Sequence, residues 1–328
     1  MPPEARRVSE VTHRTVAANG IHIHIAEQGS GPLVLLLHGF PELWYSWRHQ
    51  LPVLAAAGFH AVAPDLRGYG RSDAPQPIES YSMRQMTADA AGILDALGVE
   101  TAAVAGHDWG APIAWHCALM YPERFSAVVG LSVPYTPRAS SPPLQALKRI
   151  FAERFFYILY FQEPGRAELE LEADVRRSMR TILYGWSGDA PGGTAVAPKP
   201  KDAKLFDDAP ELQDLPPWLS EADLRYYVSE FERTGFRGAL NRYRNMDRDW
   251  EDLAQLAGAI VQQPALFVVG ERDPVLSFMR TDAMKTHVPN LRKTVLLPGC
   301  GHWTQQECPA EVNRELVEFL GSLSLSTS

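Results

Sequence analysis

The hydrophobic pattern of the chain changes near Gly31. Before it, apolar and polar side chains alternate on both sides of Asn19-Gly20, which predicts a β-hairpin because this dipeptide suits a tight two-residue turn. After it come short, continuous apolar runs, which are typical of strands buried on both faces. These runs are LVLLLH from Leu33, HAVAPD from His60, TAAVAGH from Thr101, SAVVGLSV from Ser126, PALFVVGERD from Pro264 and KTVLLPG from Lys293.

Apolar residues at helical spacing separate several of these runs. Such spacing begins at Thr87 and at Ala111, and Gly98 and Pro122 stand where we expect the two helices to end. A last amphipathic stretch begins at Cys308. Strands that alternate with helices predict an α/β fold, with a mostly parallel central sheet flanked by helices and joined by right-handed crossovers.

The long region after Val133-Pro134 has no strand-like run and is rich in aromatic and proline residues. We interpret it as a helical cap, or lid, inserted into the α/β core. The predicted core is therefore discontinuous and comprises residues 1–134 and 249–328, while the predicted cap comprises residues 135–248.

Composition narrows the classes of function. The formal charge of −8 argues against a nucleic-acid binder, which usually presents a basic face, and suits a cytoplasmic protein. The N-terminus lacks the apolar region of a signal peptide, and the longest apolar runs are too short for a membrane span. The cysteines, Cys117, Cys300 and Cys308, have no metal-binding or disulfide spacing, so we expect reduced packing residues and no metal. The oligomeric state stays open, and a homodimer is one state that the sequence allows.

Candidate chemistry lies in the segment VAGHDWGAP from Val104. It has the G-x-S-x-G pattern of a nucleophile elbow, with Asp108 where a serine is usual, beside the predicted start of a helix that favours an ionised carboxylate. Asp273 and His302 follow two later strand runs. Ligands of open α/β sheets bind at the carboxyl ends of the strands, so we expect the three side chains to meet there. Their order along the chain is that of the α/β-hydrolase triad.

Each of these residues taken alone has a simpler interpretation. An Asp after a strand commonly forms a turn or caps a helix, and a loop histidine commonly makes a structural hydrogen bond. The glycines that flank Asp108, together with the shared order of the three residues, favour catalysis.

Several segments together resemble soluble epoxide hydrolases of the α/β-hydrolase superfamily. They are HGFPE from His38, GHDWG from Gly106, GERDPV from Gly270, GHWTQQE from Gly301, YILYFQEPG from Tyr157 and GFRGALNRYRNMDRDW from Gly235. The last two resemble the cap segments that carry the paired tyrosines of the family, at Tyr157 and Tyr243. The resemblance covers most of the chain. Ala111 in place of a glycine, and a cap loop near Gly192-Gly193, depart from the family pattern.

The resemblance implies an α/β-hydrolase fold and the conversion of an epoxide to a vicinal diol with water and without a cofactor. An ionised aspartate attacks carbon directly, so Asp108 would form an alkyl ester on an sp3 carbon. His302 would then act as general base for water, with Asp273 orienting its ring. The backbone N–H groups of Phe40 and Trp109 would form the oxyanion hole for this second step.

The electrophile decides which further residues are needed. An opening epoxide makes a basic alkoxide, which requires an acid, and the phenols of Tyr157 and Tyr243 are neutral donors at pH 7. We expect these tyrosines, with Phe40 and Trp109, to contact the substrate. The alternative interpretation of each tyrosine is an aromatic residue that only packs the cap.

Two other functions stay open at this stage. A haloalkane dehalogenase of the superfamily needs no acid and binds halide with indole or amide N–H groups. Phe40 offers no side-chain donor for a halide, and a tryptophan at the position of Trp109 can occur in both families. A small-molecule receptor on the same fold would need no catalysis, although the intact candidate set argues against it. Glu42 has two interpretations, a hydrogen-bond partner of water near His302 or a carboxylate at a helix N-terminus.

Overall fold

The structure, a computed structural model, describes residues 10–190, 198–207, 209, 214–323 and 325. The described residues form an eight-stranded sheet in the order β1-β2-β4-β3-β5-β6-β7-β8. The strands are β1 (Thr12–Ala18), β2 (Ile21–Gly29), β3 (Leu33–Leu37), β4 (His60–Pro64), β5 (Ala102–His107), β6 (Phe125–Leu131), β7 (Ala265–Gly270) and β8 (Leu291–Leu297). Each run identified in the sequence therefore forms a strand.

The sheet combines an antiparallel entry with a parallel body. Asn19 and Gly20 have positive φ angles of 47° and 77° and turn β1 back as β2, which confirms the predicted hairpin. Strand β2 pairs antiparallel with β4, and the remaining neighbours pair in parallel. The prediction of burial on both faces is wrong for β8, because β8 lies at the sheet edge and most of its residues are partly or fully exposed.

Helices connect the strands as the alternation predicts. The described helices of the sheet region are α1 (Leu51–Ala56), α2 (Met83–Leu97), α3 (Gly110–Met120), α11 (Met284–His287), α12 (Thr304–Glu307) and α13 (Pro309–Gly321). Helix α2 starts four residues before the predicted Thr87. Asp249 Oδ1 accepts a hydrogen bond from the Met83 backbone N–H at 2.7 Å and so caps the first turn from a distant segment. Gly98 ends α2 in a left-handed conformation, as predicted.

The described residues between β6 and β7, called the helical segment below, are mostly helical. The described helices of this segment are α4 (Pro143–Ile150), α5 (Tyr157–Tyr160), α6 (Arg166–Ala173), α7 (Val175–Gly185), α8 (Glu221–Thr234), α9 (Arg237–Arg244) and α10 (Met246–Asp252). The predicted boundary between residues 248 and 249 falls inside α10, and the division into core and cap stays a prediction. The predicted loop at Gly192-Gly193 lies outside the described residues.

Apolar packing covers both faces of the sheet. One cluster packs the sheet against α1 and α13, and the other packs it against α2, α3 and the helical segment. Leu35 and Val62 are fully buried in the second cluster, and burial of each such side chain contributes about 1.5–3 kcal/mol. Among the described helices, none combines the length and the apolar character needed to cross a bilayer.

Candidate active site

The turn between β5 and α3 projects Asp108 from the sheet. Asp108 has a φ of +48°, a strained value for a residue with a side chain, and it sits between Gly106 and Gly110. A Cβ atom added at Gly106 would collide with the backbone of Gly110, and one added at Gly110 would collide with the carbonyl of Leu37. The glycines therefore allow the close backbone approach that holds Asp108 in this elbow.

Asp108, Asp273 and His302 meet at the carboxyl ends of β5, β7 and β8, where the sequence predicts them. Nδ1 of His302 lies 3.0 and 3.1 Å from the two carboxylate oxygens of Asp273, and Nε2 lies 3.4 Å from Oδ2 of Asp108. Asp273 is held in turn because its Oδ1 accepts a hydrogen bond from the Val275 backbone N–H at 2.9 Å. The imidazole thus bridges two carboxylates.

These carboxylates set the protonation state of His302. Burial alone would lower the pKa of His302, but the charge of Asp273 and the hydrogen bond to Asp108 raise it well above its ordinary range. Both ring nitrogens therefore carry a proton while both carboxylates are ionised.

The main chain of His302 is fixed from three directions. Its carbonyl oxygen accepts hydrogen bonds from Nε2 of His107 at 2.7 Å and from Oγ of Ser132 at 2.6 Å. Its N–H donates to the carbonyl oxygen of Trp186 at 2.9 Å, which ties the histidine to the helical segment. Because ring position follows backbone position, these contacts orient the imidazole.

Glu42 lies behind this contact and is fully buried. Its Oε2 accepts hydrogen bonds from Nδ1 of His107 at 2.6 Å and from the Gly39 backbone N–H at 2.9 Å. Its Oε1 accepts from the side-chain amides of Gln305 and Gln306 at 2.9 and 3.1 Å. Burial would raise the pKa of Glu42, but His107 lowers it to about 2.

The partners of His107 decide its charge. The ionised carboxylate of Glu42 and the carbonyl oxygen of His302 only accept hydrogen bonds, so both ring nitrogens of His107 donate. The two side chains form a buried ion pair that links the Gly39 turn to His302. Of the two interpretations of Glu42, the helix N-terminus is wrong, because the neighbouring 3-10 helix at Trp44–Trp47 has no acidic residue in its first turn.

The backbone N–H of Phe40 points to the Asp108 carboxylate. It donates to Oδ1 of Asp108 at 2.7 Å, so it faces the oxygen that would carry the charge of an oxyanion formed at this carboxyl group. Trp109, the other predicted oxyanion donor, directly follows Asp108 and precedes the first residue of α3.

A cavity of about 60 Å³ lies above Asp108. Its lining includes two phenols, one imidazole and the Asp108 carboxylate, and the rest is largely aromatic or aliphatic: Phe40, Asp108, Phe155, Tyr157, Phe161, Ile182, Trp186, Lys199, Leu205, Tyr243, His302 and Trp303. The rings of Tyr157 and Tyr243 contact each other edge to face, with centroids 6.1 Å apart. Burial, with a smaller contribution from the charge of Asp108, raises the pKa of both phenols, so both remain protonated donors at neutral pH.

Trp109 occupies a different place from the other predicted substrate-binding residues. Its ring packs edge to face against Tyr243, with centroids 5.1 Å apart, and the guanidinium of Arg242 lies 5.0 Å from its ring centroid. It lines a second cavity of about 250 Å³ and is not among the residues that line the cavity above Asp108. The position of Trp109 therefore does not support the predicted direct contact between its ring and the substrate.

Sequence reasoning missed His107, Ser132 and Trp186. His107 lies within the GHDWG segment, so of the three residues it is the one that the sequence motif could have identified. Ser132 has a positive φ of 66° directly after β6, which no sequence pattern indicates. Among the described residues, no group of three or more His, Cys, Asp or Glu side chains could hold a metal ion.

Comparisons with known proteins agree with this geometry. A family model described as alpha/beta hydrolase fold matches residues 32–309. The chain is 49% identical to Epoxide hydrolase A of Mycobacterium tuberculosis, over 96% of this chain and 98% of that protein, and 41% identical to Epoxide hydrolase 3 of Siraitia grosvenorii, over 95% and 99%. The crystal structure of Epoxide Hydrolase A from Mycobacterium thermoresistibile superposes with a TM-score of 0.93 at 49% identity, covering 97% of this chain and 100% of that one. The chain belongs to the epoxide hydrolase family of the alpha/beta hydrolase fold.

Proposed function

We propose that this protein hydrolyses epoxides to vicinal diols through a covalent alkyl ester on Asp108. One observation carries the proposal: the Asp108 carboxylate, two neutral phenols and an imidazole share one mostly apolar cavity. Nucleophile, acid and base for the two half-reactions are therefore within reach of one small substrate.

The first half-reaction forms the ester. Asp108 attacks one ring carbon, and the C–O bond on that carbon breaks as its electrons pass to the epoxide oxygen. The phenols of Tyr157 and Tyr243 donate hydrogen bonds to this oxygen and supply the proton that an alkoxide requires. Their raised pKa values suit this role because a phenol is a donor only while it remains protonated.

The second half-reaction cleaves the ester. Esterified Asp108 carries no charge, so one of the two carboxylates that raise the pKa of His302 is lost and the ring gives up a proton more readily, which restores the phenol that protonated the epoxide oxygen. Neutral His302 then takes a proton from water as the water attacks the carboxyl carbon of Asp108. The bond from this carbon to the alkyl oxygen breaks, the departing alkoxide takes the proton from His302 and leaves as the diol, and the proton that remains on the Asp108 carboxyl group returns to the ring. The Phe40 N–H stabilises the oxyanion, and Asp273 orients the ring and balances its returning charge.

The same arrangement favours an epoxide over a halide. A halide leaves without a proton and is best held by N–H groups in the substrate cavity. The cavity instead presents two phenolic O–H groups, and the Trp109 ring lines the other cavity.

The decisive experiment follows oxygen atoms through one turnover. With enzyme in excess over an aryl epoxide in water enriched in oxygen-18, the first diol should carry no label, and the label should appear in the carboxylate of Asp108. A peptide map by mass spectrometry reads the carboxylate, and the diol is read separately.

Two outcomes would contradict the proposal. Label in the first-turnover diol would mean that water attacks the epoxide directly, and the ester mechanism would be wrong. Absence of turnover with styrene-type, fatty-acid and cyclic epoxides would contradict epoxide hydrolysis itself. Asp108→Asn serves as the control, because it keeps the shape of the elbow and removes the ionised nucleophile.

A further inference from the structure

Glu307 joins the loop that carries His302 to the helical segment. Its Oε2 accepts hydrogen bonds from the backbone N–H groups of Gly301 and Gly188, both at 2.8 Å, and its Oε1 accepts one from the Trp303 backbone N–H at 2.9 Å. Gly301 and Trp303 are the residues directly before and after His302, and Gly188 follows α7. One carboxylate therefore holds the main chain on both sides of His302 and binds it to a distant part of the chain.

The two segments meet backbone to backbone. A Cβ atom added at Gly188 would collide with the carbonyl oxygen of Gly299, and one added at Gly301 would collide with the backbone nitrogen of Gly188. Gly188, Gly301 and Trp303 are buried, so each of their N–H groups needs an acceptor within the protein. Glu307 supplies this acceptor for all three.

Two further hydrogen bonds cross the same junction. The Trp303 indole N–H donates to the carbonyl oxygen of Leu183 at 2.6 Å, near the end of α7. The guanidinium of Arg272, the residue before Asp273, donates to the carbonyl oxygen of Gly188 at 2.9 Å. The junction therefore also ties the loop of Asp273 to the helical segment.

Residues next to this junction line the active-site cavity. The ring centroid of Trp186 lies 5.2 Å from that of His302 and 5.4 Å from that of Tyr157, and all three side chains face the cavity above Asp108. The part of the chain that Glu307 reaches is thus in contact with both the base and one of the acids of the proposed function.

The surroundings of Glu307 suit an ionised carboxylate. Burial raises its pKa above the ordinary value, while the three N–H donors and the charge of His302 favour the ionised form. An ionised carboxylate only accepts hydrogen bonds, so it satisfies all three N–H groups at once. A neutral amide of the same shape could not do so, because its NH₂ group would face an N–H donor.

We propose that Glu307 is a positioning residue for ester cleavage. It holds the main chain of His302 against the helical segment, which sets the place of the imidazole beside the Asp108 ester. The proposal rests on the proposed function, because it assigns Glu307 to the step in which His302 is the base. A shift of about 1 Å at a catalytic group can cost about 10²-fold in rate. Ester formation uses Asp108 and the phenols, so it should depend much less on Glu307.

Two substitutions at Glu307 test this role. Glu307→Gln keeps the shape of the side chain and places an NH₂ group against backbone N–H donors. Glu307→Asp keeps the charge but is one methylene group shorter, so it cannot reach both segments, and it replaces the Gln variant if that variant does not fold. In single-turnover kinetics with an aryl epoxide, each variant should cleave the ester about 10²-fold more slowly and form it close to the parent rate.

Glu271 provides a matched control beside the same loop. It is exposed, and its Oε2 accepts a hydrogen bond from the Gly299 backbone N–H at 3.0 Å. This bond joins the turn after β7 to the turn after β8 and stays within the sheet region. Glu271→Gln therefore removes the same charge near His302 without loosening the junction, and both steps should stay close to the parent rates.

A double variant separates positioning from a general loss of structure. In His302→Gln the ring that Glu307 positions is absent, so adding Glu307→Gln should leave the slow residual cleavage of the ester unchanged. A further slowing of about 10²-fold in this background would show that Glu307 acts without His302 and would overturn the proposal.

Other results would also overturn it. These are ester cleavage at the parent rate in both Glu307 variants, equal slowing of formation and cleavage, and equal slowing of cleavage by Glu271→Gln. Failure of the proposed function would instead be seen in the parent protein, which would neither gain the mass of the substrate nor convert it, so the two failures are distinguishable.

Discussion

The two sides of the active-site cavity are built with different kinds of contact. On the side of the sheet, His302 is held by hydrogen bonds of 2.6–3.1 Å to Asp273, His107 and Ser132. On the side of the helical segment, Tyr157 and Tyr243 are surrounded by aromatic rings, with centroid distances of 5.0–6.1 Å. The hydrogen bonds on the sheet side fix the positions of individual atoms of His302. The aromatic contacts on the other side fix the shape of the cavity wall.

This difference assigns a separate task to each side. Charge-assisted hydrogen bonds are directional and roughly twice as strong as neutral ones, so they suit a proton transfer that depends on one distance. Edge-to-face aromatic pairs contribute about 0.5–1.5 kcal/mol each and tolerate small displacements, so they suit a wall that must fit a substrate. The comparison predicts that changes on the sheet side affect ester cleavage, while changes on the helical side affect ester formation.

Removal of the base should have the largest effect. His302→Gln keeps a polar side chain that cannot act as a general base, so turnover should fall on the order of 10⁴-fold or more while Asp108 still attacks the epoxide. The alkyl-enzyme should accumulate, and the intact protein mass should increase by the mass of the substrate. If the variant binds epoxide and never gains this mass, His302 acts before the ester forms and the assignment of tasks is wrong.

Removal of the phenols should have the next largest effect, on the other half-reaction. Tyr157→Phe and Tyr243→Phe each keep the ring and remove only the hydroxyl, so each should slow ester formation by about 10²-fold or more, and the double variant should be slower still. Cleavage of a preformed ester should change much less. Stopped-flow single-turnover kinetics separate the two rates. Ester formation at the parent rate in the double variant would mean that the phenols only pack the cavity.

A smaller effect, on stability, should follow from breaking the ion pair behind His302. Glu42→Gln leaves His107 without its buried counter-charge, which typically costs about 3–5 kcal/mol in the free energy of unfolding. The pKa of Glu42 lies at about 2, below its ordinary value of 4.5, so its contribution is fully present above pH 4.5 and is lost as the pH falls toward 2.

The pH dependence of this stability difference tests whether Glu42 is ionised in the folded protein. The stability difference between parent and Glu42→Gln, measured by urea denaturation, should be fully present at about pH 5 and shrink below about pH 4.5. A difference that instead grew on acidification would contradict an ionised Glu42 in the folded protein.

The smallest effect should come from Ser132→Ala. This change removes one of the two hydrogen bonds to the His302 carbonyl oxygen and leaves the one from His107. We expect a loss of about 1 kcal/mol in stability and a several-fold slower ester cleavage, with ester formation unchanged. An equal slowing of both steps would mean that the contact orients the whole cavity and not the histidine.

Much of the fold, and the meeting of Asp108, Asp273 and His302, follow from the sequence because both depend on local patterns. The apolar runs give the strands, and the rule that parallel strands share their carboxyl ends brings Asp108, Asp273 and His302 together. Tyr157 and Tyr243 come instead from the resemblance of two segments to the cap segments of the family, and their role stays a prediction.

The remaining features depend on contacts between distant segments. The first turn of α2 is capped by Asp249, from a helix more than 150 residues later, so helical spacing alone misplaces its start. The contact between Glu42 and His107 joins the loop after β3 to the last residue of β5, and no periodicity encodes their approach. The placement of Trp109 beside Arg242 is likewise set by how α9 packs on the sheet region, and its sequence neighbour Asp108 gives no indication of it.

The elbow around Asp108 also bears on how such a protein can change over time. A side chain at position 108 projects into the cavity, so its functional group can be exchanged without moving the backbone. A Cβ at Gly39 would collide with the Asp108 side chain, and one at Gly106 or Gly110 would collide with backbone atoms, so those positions admit almost no alternative. The group at position 108 can therefore be exchanged by a single substitution, whereas the backbone that presents it admits almost no substitution at these glycines. Among descendants of such a protein, the side chain at position 108 can change, while the glycines that shape the elbow are expected to persist.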